Sequence, residues 1–347
     1  MQSFIEEVVL ELIQSGTNFT QTVFVLPSKR AGTFLKNSIS NTLNKTIFGP
    51  EIYSIETFVE KISGLTYATN TEQLFALYNS YSTITKEKDR DNFLRFSKWG
   101  QTILQDFNEI DRYLISTKDI FSHLSAVQEL NTYLEDEKTP LIENYIKFWN
   151  TLEALYTHFN ASLFEKGIAT QGYAYRTATA NIEDFTKKQS NKKFVFIGFN
   201  ALNKAEEKII QKLLEIPTTD IFWDIDAHFL NDPIHDASYF IRQHLKTWNY
   251  FKTNKLKGIS ANYITPKNFK LIGVPKNISQ AKYIGNLLEE INVTNSKKLE
   301  NTAIVLGDEN LLNPLMNAIP DNIARVNITM GYPINKTPIA VLFNLYF

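Results

Sequence analysis

Short, uninterrupted apolar runs alternate with segments of helical periodicity along much of the chain. The clearest run is residues 194–197, where four apolar residues lie between Lys193 and Gly198. Such a run predicts a buried strand of a parallel sheet, because both faces of that kind of strand are covered. A turn follows, and Asn203 with Glu206 three residues later predicts the capping box of a helix. In α/β proteins the end of such a strand is a common place for nucleotide chemistry.

A second segment repeats this pattern nearer the N-terminus. Residues 23–26 are apolar and precede Ser28, Lys29 and Arg30, which fall where the first turn of the next helix is expected. Ser28 can cap that helix, and the two basic side chains place positive charge beside exposed N–H groups, a favourable position for phosphate. A solvated basic first turn without a ligand explains the same residues.

The middle of the chain has a different pattern. From about residue 71 to residue 160, aromatic and apolar residues recur at spacings of three and four, which is typical of amphipathic helices. We therefore expect an all-helical insertion in this region. We expect its aromatic side chains to form a core and not a platform on which bases stack.

Composition narrows the function classes. The chain has 347 residues, of which 43% are hydrophobic and 21% charged, values typical of a folded protein with two or three domains. It contains no cysteine, which removes disulfides, thiolate nucleophiles and sulfur-ligated metals. No apolar stretch reaches the ~18 residues of a membrane span. Glu6, Glu7 and Glu11 interrupt the first apolar pattern, which argues against a signal peptide. We expect a cytoplasmic protein without membrane contact.

Charge is unevenly distributed although the net charge is only −1. Residues 237–288 contain no Asp or Glu, but they contain one arginine, eight lysines and several interleaved aromatic residues. Lysines bind phosphates through counterion release, and aromatic rings can stack on exposed bases. Lys252, Lys255 and Lys257 are therefore candidate DNA contacts, and a solvated lysine-rich surface is an equally good interpretation.

No catalytic or nucleotide-binding motif is present. The five histidines are scattered, and no G-x-x-x-x-G-K-[ST] phosphate-binding loop occurs. A nucleotide hydrolase also needs an acid at the strand end to hold Mg²⁺, whereas residues 194–197 end in Ile197 and Gly198. Asp224 and Asp226 follow another apolar run, where a polar strand end is a simpler interpretation than a metal pair. We expect no metal site and no productive binding of ATP or Mg²⁺.

These segments resemble motifs of the UvrD-like (superfamily 1) helicases. Residues 194–210 resemble motif II in the degenerate form of AddB-type subunits of bacterial helicase–nucleases, with Ile197 and Gly198 in place of the Mg²⁺-binding Asp and the catalytic Glu. Residues 23–36 resemble motif Ia, whose turn contacts the backbone of single-stranded DNA in that family. Residues 302–343 resemble the start of the second RecA-like domain, and residues 328–333 are close to Bacteroidetes-type members.

The resemblance implies a fold and a domain layout. We expect an α/β fold with a RecA-like parallel sheet, P-loop NTPase-like but degenerate, interrupted by an all-helical insertion. The first RecA-like domain would comprise residues 1–70 and 170–262, with the 1B-like insertion at 71–169. Residues 263–347 would begin a second, truncated RecA-like domain, with a strand at residues 302–307 and helices at residues 311–316 and from residue 338.

The resemblance also implies a function. The chain would be the inactivated helicase-like region of an AddB-type subunit in double-strand break processing and recombinational repair. It would guide single-stranded or duplex-end DNA over Ser28, Lys29 and Arg30, while an AddA-type motor helicase–nuclease subunit consumes ATP. Exonuclease activity would belong to a PD-(D/E)XK domain outside this sequence. A scaffold module that does not bind DNA remains an alternative, and so does an active helicase, against which Ile197 and Gly198 argue.

Overall fold

The computed structural model describes residues 2–43, 46–123 and 140–346. It divides into two compact units, one that ends at Thr265 and one that begins at Pro266. The division lies three residues after the predicted boundary between positions 262 and 263. The assignment of the units to RecA-like domains stays a prediction.

The first unit is built on a five-stranded parallel sheet with the order β2-β1-β5-β6-β7. Two further short strands, β3 and β4, pair in parallel in a separate small sheet. The strands are β1 Thr22–Leu26, β2 Glu51–Ser54, β3 Thr66–Tyr67, β4 Ile168–Ala169, β5 Lys193–Ile197, β6 Asp220–Asp226 and β7 Lys257–Ser260. The prediction of a parallel sheet with buried strands at residues 23–26 and 194–197 is confirmed, and the apolar run that precedes Asp224 and Asp226 also forms a strand of this sheet.

Helices connect the strands and continue into the second unit. In the first unit they are α1 Phe4–Gln14, α2 Lys29–Leu43, α3 Ile55–Ser63, α4 Asn70–Ile84, α5 Phe93–Arg112, α6 Pro140–Phe164, α7 Gln171–Lys188, α8 Lys204–Leu213, α9 Ala227–Asn231 and α10 Tyr239–Thr247. In the second unit they are α11 Asn277–Asn295, α12 Leu312–Met316 and α13 Pro338–Tyr346. Residues 117–123 are also helical. Short 3₁₀ turns include Asn249–Lys252.

Helices cover both faces of the sheet. Side chains alternate along each strand, so that Val23 and Val25 pack towards α3, α7 and α8, whereas Phe24 and Leu26 pack towards α1 and α2. Apolar side chains dominate both cores at the sheet. This double covering explains why the strands read as uninterrupted apolar runs in the sequence.

Polar side chains at the ends of two strands cap the helices that follow. Asn203 and Glu206 form a capping box at the start of α8, and Ser54 caps α3 through the amide of Thr57. These side chains satisfy amides that have no partner within the helix. They fix the point at which the chain leaves the end of each strand and enters the helix.

In its described residues, 68–123 and 140–167, the region between β3 and β4 is mostly helical and has its own apolar core. Its buried aromatic residues include Phe96, Phe107, Tyr156 and Phe159, packed between α4, α5 and α6. The aromatic stripe at positions 93–114 is therefore largely core within the described residues, as expected. That this region corresponds to the 1B insertion of helicases stays a prediction.

A buried ion pair joins this helical region to the rest of the unit. Asp111 of α5 is fully buried, and its Oδ1 accepts hydrogen bonds from Tyr156 Oη at 2.5 Å and Arg176 Nε at 2.6 Å. Arg176 also donates to the carbonyl oxygens of Ile110 and Ile115. Arg176 thus fixes the turn after α5 against α7. The sequence pattern did not reveal this contact, because the partners lie far apart along the chain.

One expectation about the second unit is wrong. Residues 302–307 were expected to form a strand, but no strand is formed there. Val305 is 89% exposed, and a strand needs a neighbour to receive its backbone hydrogen bonds, which the described part of this unit does not provide. The helix expected at residues 311–316 does form, as α12, and the helix expected from residue 338 forms as α13.

Candidate functional site

The candidate site lies at the carboxyl edge of the five-stranded sheet. All five strands run in the same direction, so the residues that follow them meet at one edge. Ser28 follows β1, Gly198 follows β5 and Asp226 ends β6. This edge is where ligands bind in open α/β sheets.

The chain turns sharply at Ser28 and enters α2. The Ser28 hydroxyl accepts a hydrogen bond from the amide of Ala31 at 3.2 Å, which confirms the expected helix cap. Ser28, Lys29 and Arg30 are exposed. Within the described residues neither Lys29 nor Arg30 forms an ion pair. The backbone N–H groups of these two residues donate no hydrogen bond there. Two free cationic groups and two free amides therefore lie at the positive end of a helix.

The middle of the same edge carries no acidic side chain. Ile197 is 1% exposed and packs in the core under α1 and α2. Gly198 has a φ of +74°, and its N–H donates to the carbonyl of Phe222 at 2.9 Å. A left-handed φ favours glycine over any residue with a Cβ. The two positions that the resemblance aligns with the acids of helicase motif II are thus an aliphatic core residue and a turn.

The N-terminus of α1 lies at this edge too, because Phe4 is the nearest neighbour that a Cβ at Gly198 would meet, at 3.6 Å. In the helicases that this chain resembles, the helix at this place follows a P-loop, and its N-terminus faces phosphate. Here Ser3 and Glu6 form a capping box, with the Ser3 amide donating to Glu6 Oε2 at 2.8 Å. Glu7 adds another negative charge in the first turn. The two carboxylates and the capping hydrogen bonds therefore disfavour binding of an anion at this helix end.

Asp226, at the end of β6, organises the neighbouring loops. Its carboxylate accepts hydrogen bonds from the amide of His228, the hydroxyl of Ser260 and the amide of Tyr263, which hold its pKa below the ordinary value. The side chain of Asp224 is exposed, and partial desolvation by its neighbours raises its pKa. The different environments of the two carboxyl groups support the interpretation as a polar strand end. Among the described residues no group of three or more His, Asp or Glu could hold a metal ion.

The other candidate lysines lie at the opposite edge. Lys257 begins β7, and its Nζ lies 2.5 Å from Asp220 Oδ1, while Lys193 Nζ lies 2.9 Å from Asp220 Oδ2. Burial raises the pKa of Asp220, but the hydrogen bonds from the two lysines outweigh it and hold the pKa below its ordinary value. Lys252 and Lys255 precede β7 and are exposed. The structure therefore does not bring these lysines together with Ser28, Lys29 and Arg30.

The sequence pattern missed a polar cleft of about 420 Å³ beside α3, α5 and α7. Glu56, Glu109 and Arg112 are the charged residues of its lining. Arg112 is already bonded to Gln171, and a distance of 3.6 Å separates it from Glu109. The uncompensated charge of the lining is therefore negative, which makes this cleft a poor place for a nucleic-acid backbone.

Neither the scan of protein-family models nor the search of curated proteins found a match to this chain. Within the described residues, no helix is long and apolar enough to cross a membrane.

Proposed function

We propose that this chain is a degenerate, RecA-like DNA-binding region of an AddB-type helicase–nuclease subunit. In this proposal it guides single-stranded DNA, or the end of a duplex, without hydrolysing ATP. It works in double-strand break processing and recombinational repair beside an AddA-type motor subunit. The support is the order of the motif-like segments in the sequence together with the parallel sheet to which two of them, residues 23–36 and 194–210, contribute strands.

The observation that carries the DNA-binding part is the pair of free cations at the start of α2. Lys29 and Arg30 are exposed and unpaired among the described residues, next to free helix amides. A phosphate at this place gains charge-assisted hydrogen bonds and the helix dipole. Each neutralised phosphate of a single strand also contributes about −0.7 to the slope of log affinity against log salt.

Three features of this edge support the proposal that the chain does not hydrolyse ATP. Ile197 is buried in the core, Gly198 has no side chain, and the first turn of α1 is capped by Ser3 and carries Glu6 and Glu7. A catalytic ATP site needs the opposite arrangement, with a metal-binding acid and a free phosphate-binding helix end. The proposal therefore assigns ATP consumption to a partner subunit.

A scaffold module that binds protein and not DNA is the second candidate. Exposed apolar side chains in the second unit favour it, since Phe269 is 88% exposed and Leu271 is fully exposed. Exposed apolar surface often marks a protein interface. In this alternative the cations at Lys29 and Arg30 have no ligand.

A salt-dependent titration tests the proposal. Fluorescence anisotropy of the purified chain with labelled single-stranded and duplex DNA, at several salt concentrations, should show tighter binding to the single strand. The double variant Lys29→Ala/Arg30→Ala should bind all sequences more weakly, and its salt slope should be smaller by about 1 to 2.

Lys187→Ala/Lys188→Ala is the matched control, because it removes the same charge from an exposed helix end before β5, at the opposite edge of the sheet. Its affinity should stay within about twofold of the parent. Equal losses in the two double variants would contradict the assignment to Lys29 and Arg30. No binding to either DNA at low salt would favour the scaffold function.

A further inference from the structure

The polar cleft beside α3, α5 and α7 lies where the helical region between β3 and β4 meets the helices that cover the sheet. Its volume of about 420 Å³ is within the range of small-molecule sites, about 300–1,000 Å³. Nine of its ten lining residues have polar side chains. Most of them come from the first turns of α3, α4 and α7 and from the last two turns of α5. The cleft therefore suits a small polar ligand.

Most donor side chains of this lining already form hydrogen bonds within the fold. The side-chain amides of Gln73 and Asn108 donate to main-chain carbonyls at 2.7 Å and 2.9 Å. Gln171 Nε2 donates to Glu56 Oε1 at 3.3 Å, and Arg112 donates to Gln171 Oε1. The lining thus has few free donors to offer to an anionic or carbonyl-rich ligand.

Acceptor atoms of the same lining remain open. Glu56 Oε2, Glu109 Oε2 and Gln73 Oε1 have no hydrogen-bond partner among the described residues. Glu56 forms no ion pair there, and Glu109 lies 3.6 Å from Arg112, beyond hydrogen-bond distance. The cleft therefore presents acceptors and an excess of negative charge, which favour a ligand that donates hydrogen bonds and carries positive charge.

The phenol of Tyr67 lies in the electrostatic field of this cleft. Its hydroxyl donates to the carbonyl of Glu56 at 2.8 Å. Burial raises the pKa of Tyr67 above its ordinary value, and the carboxylates of Glu60, Glu56 and Glu206 raise it further. The guanidinium of Arg112 lowers this pKa, but by less than either Glu60 or Glu56 raises it. The carboxylates thus outweigh the one cation at this place.

We propose that this cleft binds a linear polyamine, a small organic cation with several ammonium groups. The ammonium groups donate to Glu56 on α3 and to Glu109 on α5, and the amide oxygen of Gln73 accepts a further hydrogen bond. A metal ion needs several ligands around one point, and the described residues contain no such group of three His, Asp or Glu. Carboxylates on separate helices instead suit charges spaced along a flexible chain.

Calorimetric titration of the purified chain with spermidine, at low salt and without DNA, tests the site. The parent should bind one spermidine. Glu56→Gln/Glu109→Gln should bind it at least about fivefold more weakly, because two ion pairs at a partly exposed site are lost. Both side chains are exposed, so this variant should keep the parental melting temperature. Parental affinity for spermidine in this variant would overturn the proposal.

Glu183→Gln/Asp184→Asn is the matched control. It removes the same charge from exposed positions near the other end of α7, where Asp184 lies thirteen residues, or about 20 Å, from Gln171. Its affinity for spermidine should stay within about twofold of the parent. Equal losses in the two double variants, or more than one spermidine bound per chain, would indicate general attraction to surface carboxylates and overturn the site.

Thermal unfolding provides a second readout. A ligand that binds only the folded chain raises its melting temperature. Spermidine should therefore raise the melting temperature of the parent more than that of Glu56→Gln/Glu109→Gln, and more than MgCl₂ does at equal ionic strength. An equal rise with spermidine and MgCl₂ would overturn the proposal. Neither measurement contains DNA, so this inference can fail while DNA binding at Lys29 and Arg30 stands, and the reverse also holds.

Discussion

The two edges of the parallel sheet use the same kinds of basic residue in opposite ways. At the amino edge, Lys193 and Lys257 share the carboxylate of Asp220, and they join three neighbouring strands. At the carboxyl edge, Lys29 and Arg30 have no acidic partner among the described residues. The comparison shows that lysine content alone does not locate a phosphate site. The partners of each lysine decide whether its charge is available to a ligand.

The largest effect is expected from an acid in the middle of the carboxyl edge. Ile197→Asp should lower the free energy of unfolding by about 3–5 kcal/mol, because the carboxylate would be buried in an apolar core without a partner. Urea denaturation measures this change. Ile197→Val, the control, should cost only about 1 kcal/mol. Near-parental stability of Ile197→Asp would mean that position 197 faces solvent and that this edge can hold a metal-binding acid.

A smaller loss is expected when the amino edge loses its shared carboxylate. Asp220→Asn should lower the free energy of unfolding by about 2 kcal/mol, since two partly buried ammonium groups lose their counter-charge. Asp184→Asn is the control, because Asp184 is 79% exposed and its pair with Lys187 is long; it should cost less than about 0.5 kcal/mol. DNA affinity should not change in either variant. A large loss of DNA affinity in Asp220→Asn alone would place the strand at the amino edge.

The pH dependence of stability tests a second ion-pair cluster at the amino edge, where Glu51 begins β2. Hydrogen bonds from Lys192 and Lys61 lower the pKa of Glu51 from 4.5 to about 2. A lowered carboxyl pKa adds stability above pH 4.5 that is lost as the pH falls towards 2. The side chain of Glu51 is 35% exposed. We therefore expect its lowered pKa to contribute less than about 1 kcal/mol to the free energy of unfolding.

The variant Glu51→Gln tests this contribution. Denaturant unfolding between pH 4.5 and about 2 should show a flatter pH dependence in Glu51→Gln than in the parent. Glu300→Gln, at an exposed position, is the control and should retain the parent's slope. An identical slope in Glu51→Gln and the parent would show that the two lysines do not stabilise the charged form of Glu51.

The smallest effect is expected from the exposed lysines of the amino edge. Lys252→Ala/Lys255→Ala should change the affinity for single-stranded DNA by less than about twofold, because these side chains lie away from the start of α2. Anisotropy at low salt is the appropriate measurement. A loss as large as that of Lys29→Ala/Arg30→Ala would show that the basic window at residues 237–288 contacts the strand.

Local patterns along the sequence predicted much of the first unit. The apolar runs at residues 23–26 and 194–197 and the capping box of Asn203 and Glu206 depend on near neighbours, which a single sequence displays. The strand expected at residues 302–307 was wrong because apolar, β-branched residues form a strand only beside another strand. The β-strand propensity of residues 302–307 alone did not determine their structure.

The site was less predictable than the fold. The position of Ser28, Lys29 and Arg30 at the end of β1 followed from the strand–turn–helix pattern. The ion pair of Lys257 did not, because Asp220 lies 37 residues away along the chain. The polar cleft beside α3, α5 and α7 depends on how these helices pack, and its lining residues are distant along the chain. Such contacts leave no pattern in one sequence.

Photochemical crosslinking most directly tests whether the strand lies at the carboxyl edge. Oligonucleotides that carry 5-iodouracil would be irradiated on the intact chain, and the modified peptides would be identified by mass spectrometry after digestion. We predict crosslinks within residues 27–41, which contain the start of α2 and Phe34. Crosslinks confined to residues 247–257, around Trp248 and Phe251, would contradict the assignment and place the DNA at the amino edge.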